Sequence, residues 1–146
     1  MKITSPSFAE GEEIPQKFTC QGEGVNPELK FSDVPKAIKS LALIMDDPDA
    51  RIGTFTHWTF FNIPPETLGI EENSKVQGAI EGLTSAGKSG YVPCCPTIGS
   101  HHYTFKLFAL DNTLSLPEGV SREDLEKEIN SHLIETVKLV GMYEKK

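Results

Sequence analysis

Ser40-Leu41-Ala42-Leu43-Ile44-Met45-Asp46-Asp47-Pro48-Asp49 decides the architecture. From Ser40 to Met45 there is no charge and no polar–apolar alternation, the pattern of a strand covered on both faces. The Asp-Asp-Pro-Asp that follows ends it, because proline lacks a donor and aspartates favour turns. Working outward, Phe55-Thr56-His57-Trp58-Thr59-Phe60-Phe61-Asn62-Ile63 is aromatic and β-branched and stops at Pro64-Pro65, which reads as a second strand. Tyr103 to Leu110 reads as a third, with Tyr103, Phe105, Leu107 and Ala109 on one face. Weaker strand signals lie at Phe18–Cys20, Leu29–Phe31 and Lys75–Ile80. Ten prolines and twelve glycines punctuate the chain, mostly in its first two-thirds, as in an all-β domain rich in turns.

The carboxyl end changes character. Ser121 is placed to cap a helix whose first turns hold Glu123, Asp124 and Glu126, on the positive end of the dipole. Leu125, Ile129, Leu133 and Val137 recur every four residues, and Ile134 and Val140 widen the stripe. This spacing predicts one helix running to Gly141 as its C′ residue, with a tail from Tyr143 to Lys146. Between the second and third strands, Gly82 to Gly99 is a long irregular stretch that contains Tyr91, Cys94 and Cys95 and leads into His101 and His102. Loops longer than about 12–15 residues in compact domains are usually functional or disordered, and this one reads as functional.

At 146 residues the chain fits one domain, 1–146, large enough to bury a core without staples. Fourteen basic against 21 acidic residues give a net charge of −7. That sign disfavours nucleic acid and stable anchoring to anionic membranes, but leaves room for a local anion pocket. No signal peptide or membrane span is legible, and three cysteines are an odd count. The reading is reduced thiols and a cytoplasmic location.

His57 lies on the second strand, by alternation on the face of Phe55, Thr59 and Phe61. His101 and Tyr103 share a face of the third, and His102 points the other way. Imidazole, phenol and free backbone N–H groups are the donors a small anion needs, and a nearby carboxylate orients a histidine or shares a proton. Taken singly, each also reads as a structural side chain, and periodicity does not join them.

Their order does. Gly24 to Pro35, then Asp47-Pro48-Asp49-Ala50 with His57-Trp58, then Gly90-Tyr91 through Pro96, Gly99, His101 and Tyr103 resemble the phosphatidylethanolamine-binding protein family, also called the Raf kinase inhibitor protein family. The likeness is to its bacterial and archaeal branch. It implies an all-β dominated fold, an antiparallel β-sandwich with Greek-key connections, here with a C-terminal α-helix. It also implies a small pocket at one end for phosphate, carboxylate or a phospholipid head group, with a kinase or protease as partner in some members. Carried over by position, Asp47, His57, His101 and Tyr103 match the pocket side chains, Cys95 a backbone donor, Pro96 the rim, and Asp49 and Tyr91 supporting positions. Arg51, Val92-Pro93-Cys94, Thr97 and His102 depart from the family pattern. His102 stands for an arginine, which implies a lost structural contact.

The resulting expectation is non-catalytic anion binding, with no cofactor and no metal. His57, His101 and Tyr103 would donate to the anion, Asp47 would orient a histidine or share a proton with the ligand, and Asp49 would hold the turn. The rival is a thiol hydrolase using Cys94 or Cys95 with His101 and Asp47. Adjacent Cys94-Cys95 and His101-His102 pairs do not match zinc-ligand spacing.

Overall fold

A computed structural model describes residues 1–146. Its strands are β1 (Lys2–Thr4), β2 (Leu29–Ser32), β3 (Ser40–Asp47), β4 (Phe55–Ile63), β5 (Gly69–Ile70), β6 (Ile80–Glu81), β7 (Ser100–Leu110) and β8 (Leu133–Glu144), with one helix, α1 (Arg122–His132). They form two antiparallel sheets, one ordered β1-β2-β5 and one ordered β6-β4-β3-β7-β8. The long connection that returns β7 beside β3 is the crossover expected of a Greek key.

The uncharged run of β3 is the centre of the larger sheet, and every one of its residues is buried. Leu41, Leu43 and Met45 face the smaller sheet and pack with Trp58, Phe60, Phe105 and Leu107. Ala42 and Ile44 face the other way, into a second cluster with Phe61, Phe108, Leu110, Leu125 and Ile129, which α1 closes. Asp46 faces the α1 side, where Arg122 at 2.9 Å and Lys106 at 3.2 Å pair with its carboxylate. Arg122 also donates to Thr56 and pairs with Glu126. The run is apolar throughout because each face has its own layer.

The helix begins as expected, with the Ser121 hydroxyl accepting from the Asp124 N–H. It does not continue to Gly141. It ends at His132, and Leu133–Glu144 pairs with β7 along its whole length. A four-residue repeat is also two repeats of a strand, so Val137, beyond the helix, fits either period. What decides is the alternation of Val137, Leu139, Gly141 and Tyr143 toward the core, with β-branched Thr136, Val137 and Val140 among them. Gly141 is no helix stop. A Cβ there would lie 2.5 Å from Ile14 Cγ1 and 2.8 Å from Phe8, so only glycine lets the amino-terminal segment pack this closely. Of the weaker strand signals, Leu29–Phe31 lies in β2. Phe18–Cys20 is the end of a 3₁₀ turn plus one bridge from Thr19 to Cys94. Lys75–Ile80 reaches strand geometry only at Ile80. No helix is long and apolar enough to cross a membrane.

Candidate functional site

The carboxyl end of β3 and the amino ends of β4 and β7 meet at one end of the larger sheet, with Asp47 opposite Phe55 and Asp46 opposite Thr104. A cavity of about 390 Å³ opens there. Its walls include Asp47, His57, His101, Tyr103, Cys95 and Pro96, six positions named from sequence. Ala50, Arg51, Ile52, Phe55, Val92, Pro93 and Thr97 complete them, and no motif had singled these out as ligand contacts.

A backbone irregularity brings His57 in. Pairing steps from Met45 with Trp58 to Asp46 with Thr56, so His57 is an extra residue on β4, a β-bulge. Strict alternation groups His57 with Phe61, which faces α1. The bulge turns it instead to the inner side, where its ring lies 4.8 Å from Phe55 and 5.3 Å from Tyr103, edge-on to the latter. The expected grouping with Thr59 and Phe61 is therefore wrong. Val92 closes on His57 twice. Its N–H donates to the His57 carbonyl at 3.0 Å, and its carbonyl accepts from His57 Nδ1 at 2.7 Å. Burial pushes the His57 imidazole below its ordinary pKa, opposed by the Val92 carbonyl and by Asp47.

His101 is held differently. Its Nδ1 donates to Asp47 Oδ2 at 2.7 Å, and its Nε2 stands 3.1 Å from the Ile98 carbonyl. Asp47 Oδ1 meanwhile accepts from the Asp49 N–H at 2.9 Å. His101 thus has Nδ1 committed to Asp47, and its Nε2 is turned toward the Ile98 carbonyl. Asp47 does orient a histidine. Tyr103 is the opposite case, fully buried with its hydroxyl unpartnered, and burial pushes its phenol well up.

Known proteins share this geometry and sequence. The sequence profile described as "Phosphatidylethanolamine-binding protein" matches residues 4–144. The chain belongs to that family. A UPF0098 protein of Chlamydia trachomatis is 43% identical over 150 residues, covering 99% of both chains. A UPF0098 protein of Methanothermobacter thermautotrophicus is 41% identical, covering 98% of both. The crystal structure of a phosphatidylethanolamine-binding protein homolog from Chlamydia trachomatis superposes with a TM-score of 0.94 at 43% identity, over 99% of this chain and 97% of that one. Escherichia coli YbcL, described as a new member of the mammalian family, gives 0.92 at 28% identity, over 99% and 98%.

Within this phosphatidylethanolamine-binding protein fold, the departures acquire physical content. His102 faces away from the cavity, as alternation requires, and it makes a contact of its own with Asp49. Its backbone N–H and its Nδ1 both reach Asp49 Oδ2, at 2.8 and 2.6 Å, and the pair of bonds holds the Asp49 carboxyl below its usual range. Asp49 therefore ties the β3 turn to β7. Cys95 is bonded to Cys20, with their Cα atoms 5.4 Å apart, which overturns the expectation of three reduced thiols. The pairing was invisible because 75 residues separate the partners and adjacent Cys94 competes for the same reading. The thiol argument for a cytoplasmic location falls with it. Cys94 remains free but fully buried, and burial pushes its thiol strongly up. Tyr91 does not reach the cavity. Its hydroxyl donates to the Phe18 carbonyl at 2.8 Å and its ring packs edge-on to Trp58, fastening the loop from behind.

Proposed function

We propose that this cavity binds a small phosphate-like or carboxylate anion, free or as the exposed head of a larger ligand, without catalysing a reaction on it. The observation that carries the reading is the Tyr103 hydroxyl, fully buried, unpartnered and in the cavity wall beside His57. Buried polar groups in native proteins are almost always paired, so an unpartnered hydroxyl on a residue that lines a cavity supports a ligand there. Arg51 at the mouth supplies a positive charge on an otherwise acidic chain. Membership of the phosphatidylethanolamine-binding protein family supports a ligand at this end of the fold. The thiol-hydrolase alternative has no thiolate to work with, since Cys95 is bridged and Cys94 is buried and protonated. Modulation of a kinase or protease is carried by the resemblance alone and by no surface feature.

The test is a histidine-resolved NMR titration with inorganic phosphate and with phosphoethanolamine. Saturable shifts at His57, abolished in Tyr103→Phe, are expected. No saturable shift up to millimolar ligand overturns the reading.

A further inference from the structure

We propose that a second cavity binds a small organic ammonium ion, with Glu81 as its counter-ion and the Lys75 side chain as the group it displaces. Glu81 ends β6 and pairs with Phe60 of β4, so its side chain shares the inner face of the sheet with Trp58 and Phe60. That face looks into the apolar core, where a carboxylate is costly unless it is paired. The Glu81 side chain is only 12% exposed. One of its oxygens accepts from the indole N–H of Trp58 at 3.3 Å, and the other pairs with Lys75 Nζ at 3.2 Å. The Lys75 side chain is 77% exposed, and an ion pair with so exposed a partner adds little to stability. The fold thus gains little from an acid at this place, whereas a cation site needs one.

Beside the carboxylate there is room for a guest. A cavity of about 270 Å³ has Trp58, Tyr91, Asn26, Ser74, Lys75 and Glu81 in its walls. It shares no lining residue with the cavity described above: Tyr91 belongs to this one, Val92 and Pro93 to the other. The walls are fixed. The Asn26 side chain donates to the Glu71 carbonyl at 3.0 Å and accepts from the Ser74 N–H at 2.9 Å, and the Tyr91 hydroxyl is tied to Phe18. Lys75 follows the pinned Ser74, so its exposed side chain is the part free to leave. Because it already sets an ammonium on Glu81, it defines what the carboxylate accepts, a primary ammonium on a flexible alkyl stem. A ligand of that kind exchanges one ion pair for another and adds contact of its stem with the indole and phenol walls. An anion is repelled by Glu81, and a neutral ligand leaves the ion pair in place.

The chain has one tryptophan, so the indole N–H of Trp58 gives a single NMR signal that reports on Glu81 directly. The full chain is titrated with n-butylammonium chloride, against sodium chloride at equal ionic strength and against 1-butanol. A saturable shift of the indole signal, with a Kd of about 1–10 mM, is expected for butylammonium alone. Lys75→Ala alters only an exposed side chain and should tighten binding by about two- to fivefold, because the resident cation is gone. Affinity should rise by about two- to fourfold per methylene from ethylammonium to butylammonium, as the stem is buried. Glu81→Gln should abolish the shift. Absence of a saturable shift in Lys75→Ala overturns the proposal, even where Glu81→Gln fails to fold. An equal response to sodium or to butanol overturns it as well, as does binding that survives in Glu81→Gln. Failure of phosphate to bind the other cavity leaves this inference standing.

Discussion

His57 and its two hydrogen bonds to Val92 join the floor of the cavity to its rim. Because burial lowers the pKa of this ring in the folded state, the unfolded chain binds the proton more readily. Stability from this group is full above the unfolded value of about 6.5 and is lost as pH falls from there toward the lower folded value. Urea unfolding at pH 7.5 and 5.5 should show a smaller loss in His57→Gln than in the wild type. An equal loss would mean that the ring is as well solvated when folded as when unfolded. The identity of this residue was legible from the order of motifs, but its direction was not. A bulge is a one-residue mismatch between two strands, and the sequence of one strand alone carries no record of it.

β8 shows the same limit over twelve residues. Val137 follows Leu125 and Ile129 at a spacing shared by helix and strand, so the change of period at Leu133 left no gap in the apolar stripe. The buried central strand, the aromatic strand and the Ser121 cap were legible because each is signalled by its own residues. The boundary between α1 and β8 is set by the open flank of β7, which is a tertiary fact. The two readings separate by mutation. Ile134 lies in the stripe of the helical reading, yet it is 47% exposed beside the register shift near Leu110. Leu139, which that stripe did not include, is 3% exposed and belongs to the inner core. Leu139→Ala should cost about 2–4 kcal/mol in chemical denaturation, and Ile134→Ala less than about 0.5 kcal/mol. Comparable costs at the two positions would contradict the strand. Gly141→Val should destabilise by about 1–3 kcal/mol or more, since it drives a side chain into Ile14 and Phe8.

Taken together, the parts are held by a covalent tie that spans half the chain. The Cys20–Cys95 bridge fastens the cavity rim to the segment after the 3₁₀ turn, and Tyr91 fastens the same loop to Phe18. Closing a loop of 75 residues stabilises by about 4 kcal/mol through the unfolded ensemble. Cys95→Ser should lose that much, with a matching drop in midpoint. Alkylation resolved by mass spectrometry should find no reactive thiol in the native protein, one after denaturation without reductant and three after reduction. Native labelling of Cys94 would show that the loop opens and would restore the thiol alternative.

The amino-terminal segment adds a property of another kind. Gly11 and Ile14 donate to the carbonyls of Val140 and Met142, and the Met142 N–H donates to the Glu12 carbonyl, so the outer margin of β8 is occupied from Val140 to Met142. At the other margin β6 is two residues long, the Gly119 N–H donates to the Glu81 carbonyl, and the Val120 carbonyl accepts from the Leu83 N–H. Unpaired strand margins are where β proteins recruit one another into fibres, and here the amino-terminal segment and β6 shorten what the larger sheet leaves open. A protein so rich in strand thereby exposes less of its own backbone to other copies, a safeguard that matters most when it is crowded.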